Sequence, residues 1–155
     1  MRNLEYPLSE LYTYIPHSDK INKSISEVDV GWHIEHSLLV IIKIIETVCK
    51  SDPAKYKWKF NFIRTIVFFQ NKFPRGKGKA PDSVIPKQIE KTDFETLFAA
   101  TREAIEQLKK AEHNQFFLHP VFGNLSKKNT FIMLDIHTRH HTQIIKDIIS
   151  SASVY

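Results

Sequence analysis

Glycine is too scarce in this chain for a fold built on tight turns: there are four in 155 residues. Sandwiches and barrels use glycine at the positive-φ positions of their many turns, and almost no segment here alternates strictly between apolar and polar. What recurs instead is helical spacing. The expected class is therefore all-α, folded as a single domain over residues 1–155. That length suits one core, and 42% hydrophobic content is ample material for it.

The helices can be placed from their punctuation. A short N-terminal helix is expected over residues 8–16, stopped by Pro16, and a polar connection runs from there to Ser26. Asp29 is a good N-cap for a first long helix that runs to about Lys50, where Ser-Asp-Pro ends it. Apolar on nearly all sides, that helix should be central. A second helix is expected from about Lys57 to Lys72, followed by a loop carrying Pro74, Gly76, Gly78 and Pro81. Thr92 or Asp93 caps a third that reaches Ala111, and its apolar residues Phe94, Leu97, Phe98, Ala104, Ile105 and Leu108 keep helical spacing. A loop with Pro120 and Gly123 precedes the last helix, capped by Ser126 and running to about Ser150. The sum is a four-helix bundle with a short extra N-terminal helix.

Several function classes fall away on composition. The one cysteine, Cys49, cannot build a disulfide framework and, at the end of an apolar stretch, reads as a buried thiol rather than a nucleophile. The N-terminus lacks the apolar run of a signal peptide and no segment reaches a membrane-spanning length, so the expectation is a cytoplasmic protein with no membrane partner. Basic residues outnumber acidic ones by 22 to 17, a modest excess that gives little reason to expect a nucleic-acid partner. Arg75 to Lys79, RGKGK, lacks the spacing of a phosphate-binding loop and reads as a solvated loop bordering a pocket. Phe60, Phe62, Phe68, Phe69 and Phe73 read as core or as the contact of a homodimer.

Eight histidines are the unusual feature, and three lie within five residues near the C-terminus. On the last helix, Met133, Leu134, Ile144, Ile145 and Ile148 define an apolar face, while Asp135, Arg139, Gln143 and Lys146 define a polar one. His137 and His141 fall in the apolar stripe about 40° apart, and His140 falls at its polar edge. Two imidazoles one turn apart can bind one ion from a single helix. Without partners their burial costs several kcal/mol, which either a metal or core hydrogen bonds would offset. The first long helix supplies His33 and His36 as candidates for a third ligand. Periodicity puts His33 nearer the apolar face and His36 beside Lys43 and Thr47, and leaves the choice open.

Taken in order, these residues resemble a known group. Trp32 to His36 form a W-x-x-x-H, His119, Pro120, Phe122 and Gly123 an HP-x-FG loop, and His137, His140 and His141 an H-x-x-H-H followed by Gln143 and Ile144. The chain resembles, over essentially its whole length, the DinB-like or YfiT-like superfamily of four-helix metalloproteins. That resemblance implies a divalent ion, zinc or nickel foremost with manganese or iron as alternatives. It implies ligands at His36, seven residues after the Asp29 cap, and at His137 and His141. It leaves His33 as the substitute for His36 and otherwise, with His140, as a group supporting the ligands or as polar surface, with surface the preferred reading. The implied activity is metal-dependent hydrolysis or thiol transfer on a small molecule, a small thiol among the candidates. The alternative is a non-catalytic metal-binding or stress-response module. No general base stands out, and neither Glu35 nor Asp135 is assigned one. His119 is expected to order its loop, and His17 and His113 to be exposed.

Overall fold

A computed structural model of the chain describes residues 3–74, 85–86 and 93–151. Among them the regular elements are α1 (Glu5–Tyr12), α2 (Val30–Lys50), α3 (Phe62–Gln70), α4 (Phe94–Lys110), a hairpin of β1 (Phe116–His119) and β2 (Gly123–Ser126), and α5 (Lys127–Ser151). The chain is mostly helical, as the glycine count and helical spacing require.

α2 is the central element. The Asp29 side chain accepts the Trp32 N–H at 2.7 Å and so caps the first turn. Ile34, Leu38, Ile41 and Ile45 are fully buried, and α2 packs against both α4 and α5. The incoming chain docks on its first turn, where Val30 and Gly31 donate backbone hydrogen bonds to Lys20 and Ser18. A Cβ on Gly31 would lie 3.0 Å from the Ser18 carbonyl oxygen, so this close approach needs glycine. Asp93 caps α4, accepting the Thr96 N–H. At the far end of α4, Lys127 from the start of α5 donates to the carbonyls of Lys109 and Ala111 at 2.6 and 2.7 Å. A cation thereby takes up carbonyls that the helix end leaves unpaired.

α1 occupies the side of α5 that reads as polar in sequence. Lys146 pairs with Glu10 at 2.6 Å, and Asp135 is buried in an ion pair with Arg139 at 2.8 Å, whose guanidinium lies over the Tyr6 ring. The polar face of α5 is in part an interface, and Asp135 on it is buried.

Three further expectations need correction. α1 spans residues 5–12 rather than 8–16, and Pro16 sits inside a separate 3-10 turn, Ile15–His17. α3 begins at Phe62 instead of Lys57, because Asn61 caps it by accepting the Arg64 N–H, while residues 57–60 precede it without helical structure. The loop before the last helix is a hairpin that pairs Phe116 with Ser126 and His119 with Gly123; Gly123, at φ +69°, begins its return strand. The cluster of phenylalanines divides: Phe68 and Phe73 pack on Phe122, whereas Phe60, Phe62 and Phe69 are exposed. RGKGK and Thr92 lie outside the described residues.

Arg64 joins these parts. It is 6% exposed, and its guanidinium donates to the carbonyls of Lys59, Phe122 and Asn124. Replacing it with Met keeps the stem but strands three carbonyls, so Arg64→Met should cost about 3 kcal/mol in urea unfolding. Phe69→Ser, at a 91% exposed position, should change stability by less than about 0.5 kcal/mol. Equal, small effects would remove Arg64 from this role.

Candidate metal centre

The helical spacing of α2 and α5 brings four histidines into one seam. His137 and His141 lie one turn apart on α5 with ring centroids 4.6 Å apart, and His36 from α2 faces both, at 5.3 and 4.8 Å. One ring nitrogen from each of His36, His137 and His141 lies within 4.8 Å of the other two. Nitrogens bound to one tetrahedral ion at about 2.0–2.1 Å stand about 3.3 Å apart, a gap that small side-chain rotations close. Trp32, one turn before His36, stacks on its ring at 4.7 Å and 14° and restricts how it can turn.

His33 occupies the other side of the seam. It is 4% exposed, against the expectation of polar surface and in agreement with the wheel that put it near the apolar face. Its Nδ1 lies 2.9 Å from Nδ1 of His141 and its Nε2 lies 2.9 Å from Ser26 Oγ. Both positions three apart on α2 are buried because the helix is wrapped on more than one side. His33 lies outside the group of three, yet it touches one of them. His140 is half-buried rather than on the surface, its ring 5.4 Å from that of His141 and 6.1 Å from that of Phe73. Phe73 also meets His137 edge-on at 6.2 Å.

Burial sets the protonation of the seam. Desolvation, with neighbouring imidazoles adding to it, holds His137 and His141 well below the ordinary histidine value. The same cause brings His33 to about 4. All three are neutral at pH 7, the form that ligates a cation. His137 Nδ1 is buried with no hydrogen-bond partner among the described residues. An orphaned lone pair or N–H there costs about 1–3 kcal/mol, and a cation taking a lone pair would remove that cost.

The remaining histidines have other settings. His119 Nδ1 accepts the N–H groups of Val121 and Phe122, and its ring stacks on Phe122 at 4.3 Å, so it orders the hairpin tip as expected. His113 is exposed; His17 is half-buried instead of exposed. Cys49 is half-buried rather than fully buried, and burial raises its thiol pKa, which disfavours the thiolate. Ser26 and Phe73 were not legible as site residues, since both precede or follow helices in segments without periodicity.

The chain matches no protein-family model, no curated protein and no solved structure at a significant level.

Neutral burial makes an acid-dependent stability. In the unfolded chain these imidazoles titrate near 6.5; in the fold His33 and His119 titrate at about 4, and His137 and His141 well below 6.5. Below about 6.5 the unfolded state therefore binds more protons, and stability falls as pH drops from that value toward about 4. The urea midpoint of metal-free protein should decline steadily between pH 7 and pH 5. A flat or rising profile over that window would contradict the neutral burial of these rings.

Proposed function

We propose that this chain is a divalent-metal-dependent enzyme of the DinB-like kind, a four-helix bundle acting by hydrolysis or thiol transfer on a small molecule. What carries the reading is the convergence of His36, His137 and His141 within 4.8 Å, from two helices, at a place where His137 Nδ1 has no hydrogen-bond partner among the described residues. Three neutral nitrogen donors suit zinc or nickel and leave coordination positions open for water or substrate. When bound, such an ion lowers the pKa of a coordinated water toward about 7 or holds a substrate thiol as thiolate.

The chain's own part is to aim donors and hold protons. A ligating nitrogen must be unprotonated, and one proton serves the contact between His33 and His141. With Nε2 of His141 turned to the ion, that proton resides on His141 Nδ1, which donates to Nδ1 of His33. His33 then carries its own proton on Nε2 and donates to Ser26 Oγ. His33 and Ser26 thus fix the tautomer of one ligand, as carboxylates or carbonyls do for ligating histidines elsewhere. Trp32 restrains the ring of His36, and Phe73 shields the edges of His137 and His140 from water.

Metal content of untagged protein tests the reading. About one divalent ion per chain is expected, removed by chelation and raising the Tm when restored. His36→Ala, His137→Ala or His141→Ala should abolish stoichiometric binding. His33→Ala should retain the ion with affinity lowered about 10- to 100-fold, and His140→Ala should retain it. Loss of metal in His33→Ala with retention in His36→Ala would replace the ligand set; no binding by wild type would end the proposal.

A further inference from the structure

The segment before α3 and the outer face of α3 are built the wrong way round for a helix that ends at solvent. Within α3 the buried positions are Arg64 and Val67, while Phe62, Ile63 and Phe69 are exposed, Phe69 at 91%. A surface helix ordinarily places its apolar stripe inward. The same inversion continues upstream, where Trp58 and Phe60 are 65% and 66% exposed and alternate with the exposed Lys57 and Lys59. Asn61 and Arg64 tie this segment to the hairpin tip, and Asn124 donates to the Lys57 carbonyl, so the presentation is held in place.

Charge separates the occupants that could cover such a face. Residues 53–74 contain five basic residues and no acidic one, and the rest of the chain carries seventeen of each sign. The whole positive excess of the protein therefore lies in this stretch. Arg64 is spent internally on three carbonyls and Lys55 lies 3.9 Å from Asp52, which leaves Lys57, Lys59 and Lys72 exposed beside the rings. A two-fold dimer through this face would set the same lysines against themselves. A nucleic acid would match the charge but offers no apolar layer to Ile63 and Ile66 on the helix. An anionic bilayer surface matches both: tryptophan and phenylalanine enter the headgroup boundary, aliphatic side chains follow, and lysines stay at the phosphates.

We propose that this face is a docking surface for anionic lipid membranes, with the chain bound peripherally. No helix among the described residues is long and apolar enough to cross a membrane, and surface attachment requires none. The absence of a spanning segment or a signal-peptide run bears on insertion and secretion, and leaves peripheral binding open. Each lysine near such a surface strengthens binding about fivefold, and the aromatic anchors add an apolar contribution that salt does not screen.

Co-sedimentation of the full-length protein with vesicles tests the proposal. One vesicle set is phosphatidylcholine alone; in the other about a third is replaced by phosphatidylglycerol. Binding is expected to the second set only, weakening as salt shortens the screening length. Lys57→Glu with Lys59→Glu should weaken it at least about 25-fold, and Trp58→Ser with Phe69→Ser about tenfold. These positions are exposed and outside the histidine seam, so circular dichroism and metal content should match wild type in both variants. Equal binding to both vesicle sets, or none to either, overturns the proposal. So does a concentration-dependent dimer in sedimentation velocity that the aromatic variant abolishes while vesicles are not bound, or RNA binding that the lysine variant abolishes while vesicles are not bound.

Discussion

Everything in this molecule is arranged around imidazoles taken out of water between α2 and α5. A buried ring nitrogen costs free energy unless it has a partner, and the helices that carry these rings offer no spare backbone groups. The fold meets that constraint for two of the rings: His33 and His141 share a proton at 2.9 Å, with Ser26 continuing the chain, while Trp32 stacks on the His36 ring and holds its plane. The Nδ1 of His137 is left over. A seam of neutral rings with one buried nitrogen unpartnered among the described residues is what a cation site requires of a protein before the cation arrives.

The class of fold was legible because scarce glycine and helical spacing are global signals; the Asp29 cap marked one helix start to the residue, and the pair Thr92 or Asp93 marked another to within one. Boundaries that depend on tertiary contact were not. Lys57 to Phe60 carry aromatic and basic residues that a helix could accept, but Asn61 caps at the next position and Arg64 pulls the chain toward the hairpin. The hairpin itself is only four residues a strand, too short for alternation to show. On α5 the polar stripe was legible as polar, but not as an interface, since α1 returns with Glu10 and Tyr6 to meet Lys146 and Arg139.

The candidate site divides along the same line. His137 and His141 follow from angular position on one helix. The choice between His33 and His36 lay beyond any wheel, because α2 is buried on both sides and both rings are needed inside. The resemblance favoured His36 and left His33 between a supporting group and the surface, with the surface preferred; the geometry brings His36 together with the pair and sets His33 against His141. Ser26 carried no signal, since a loop has no period that could align it with a ring seven residues on.

X-ray absorption on zinc-loaded wild-type protein, prepared without a histidine tag, tests the central claim most directly, since it reads the atoms around the ion. Three imidazole nitrogens at about 2.0–2.1 Å, with the remaining coordination from oxygen, are predicted. A first shell with fewer than three imidazoles, or one containing sulfur from Cys49, would contradict the account.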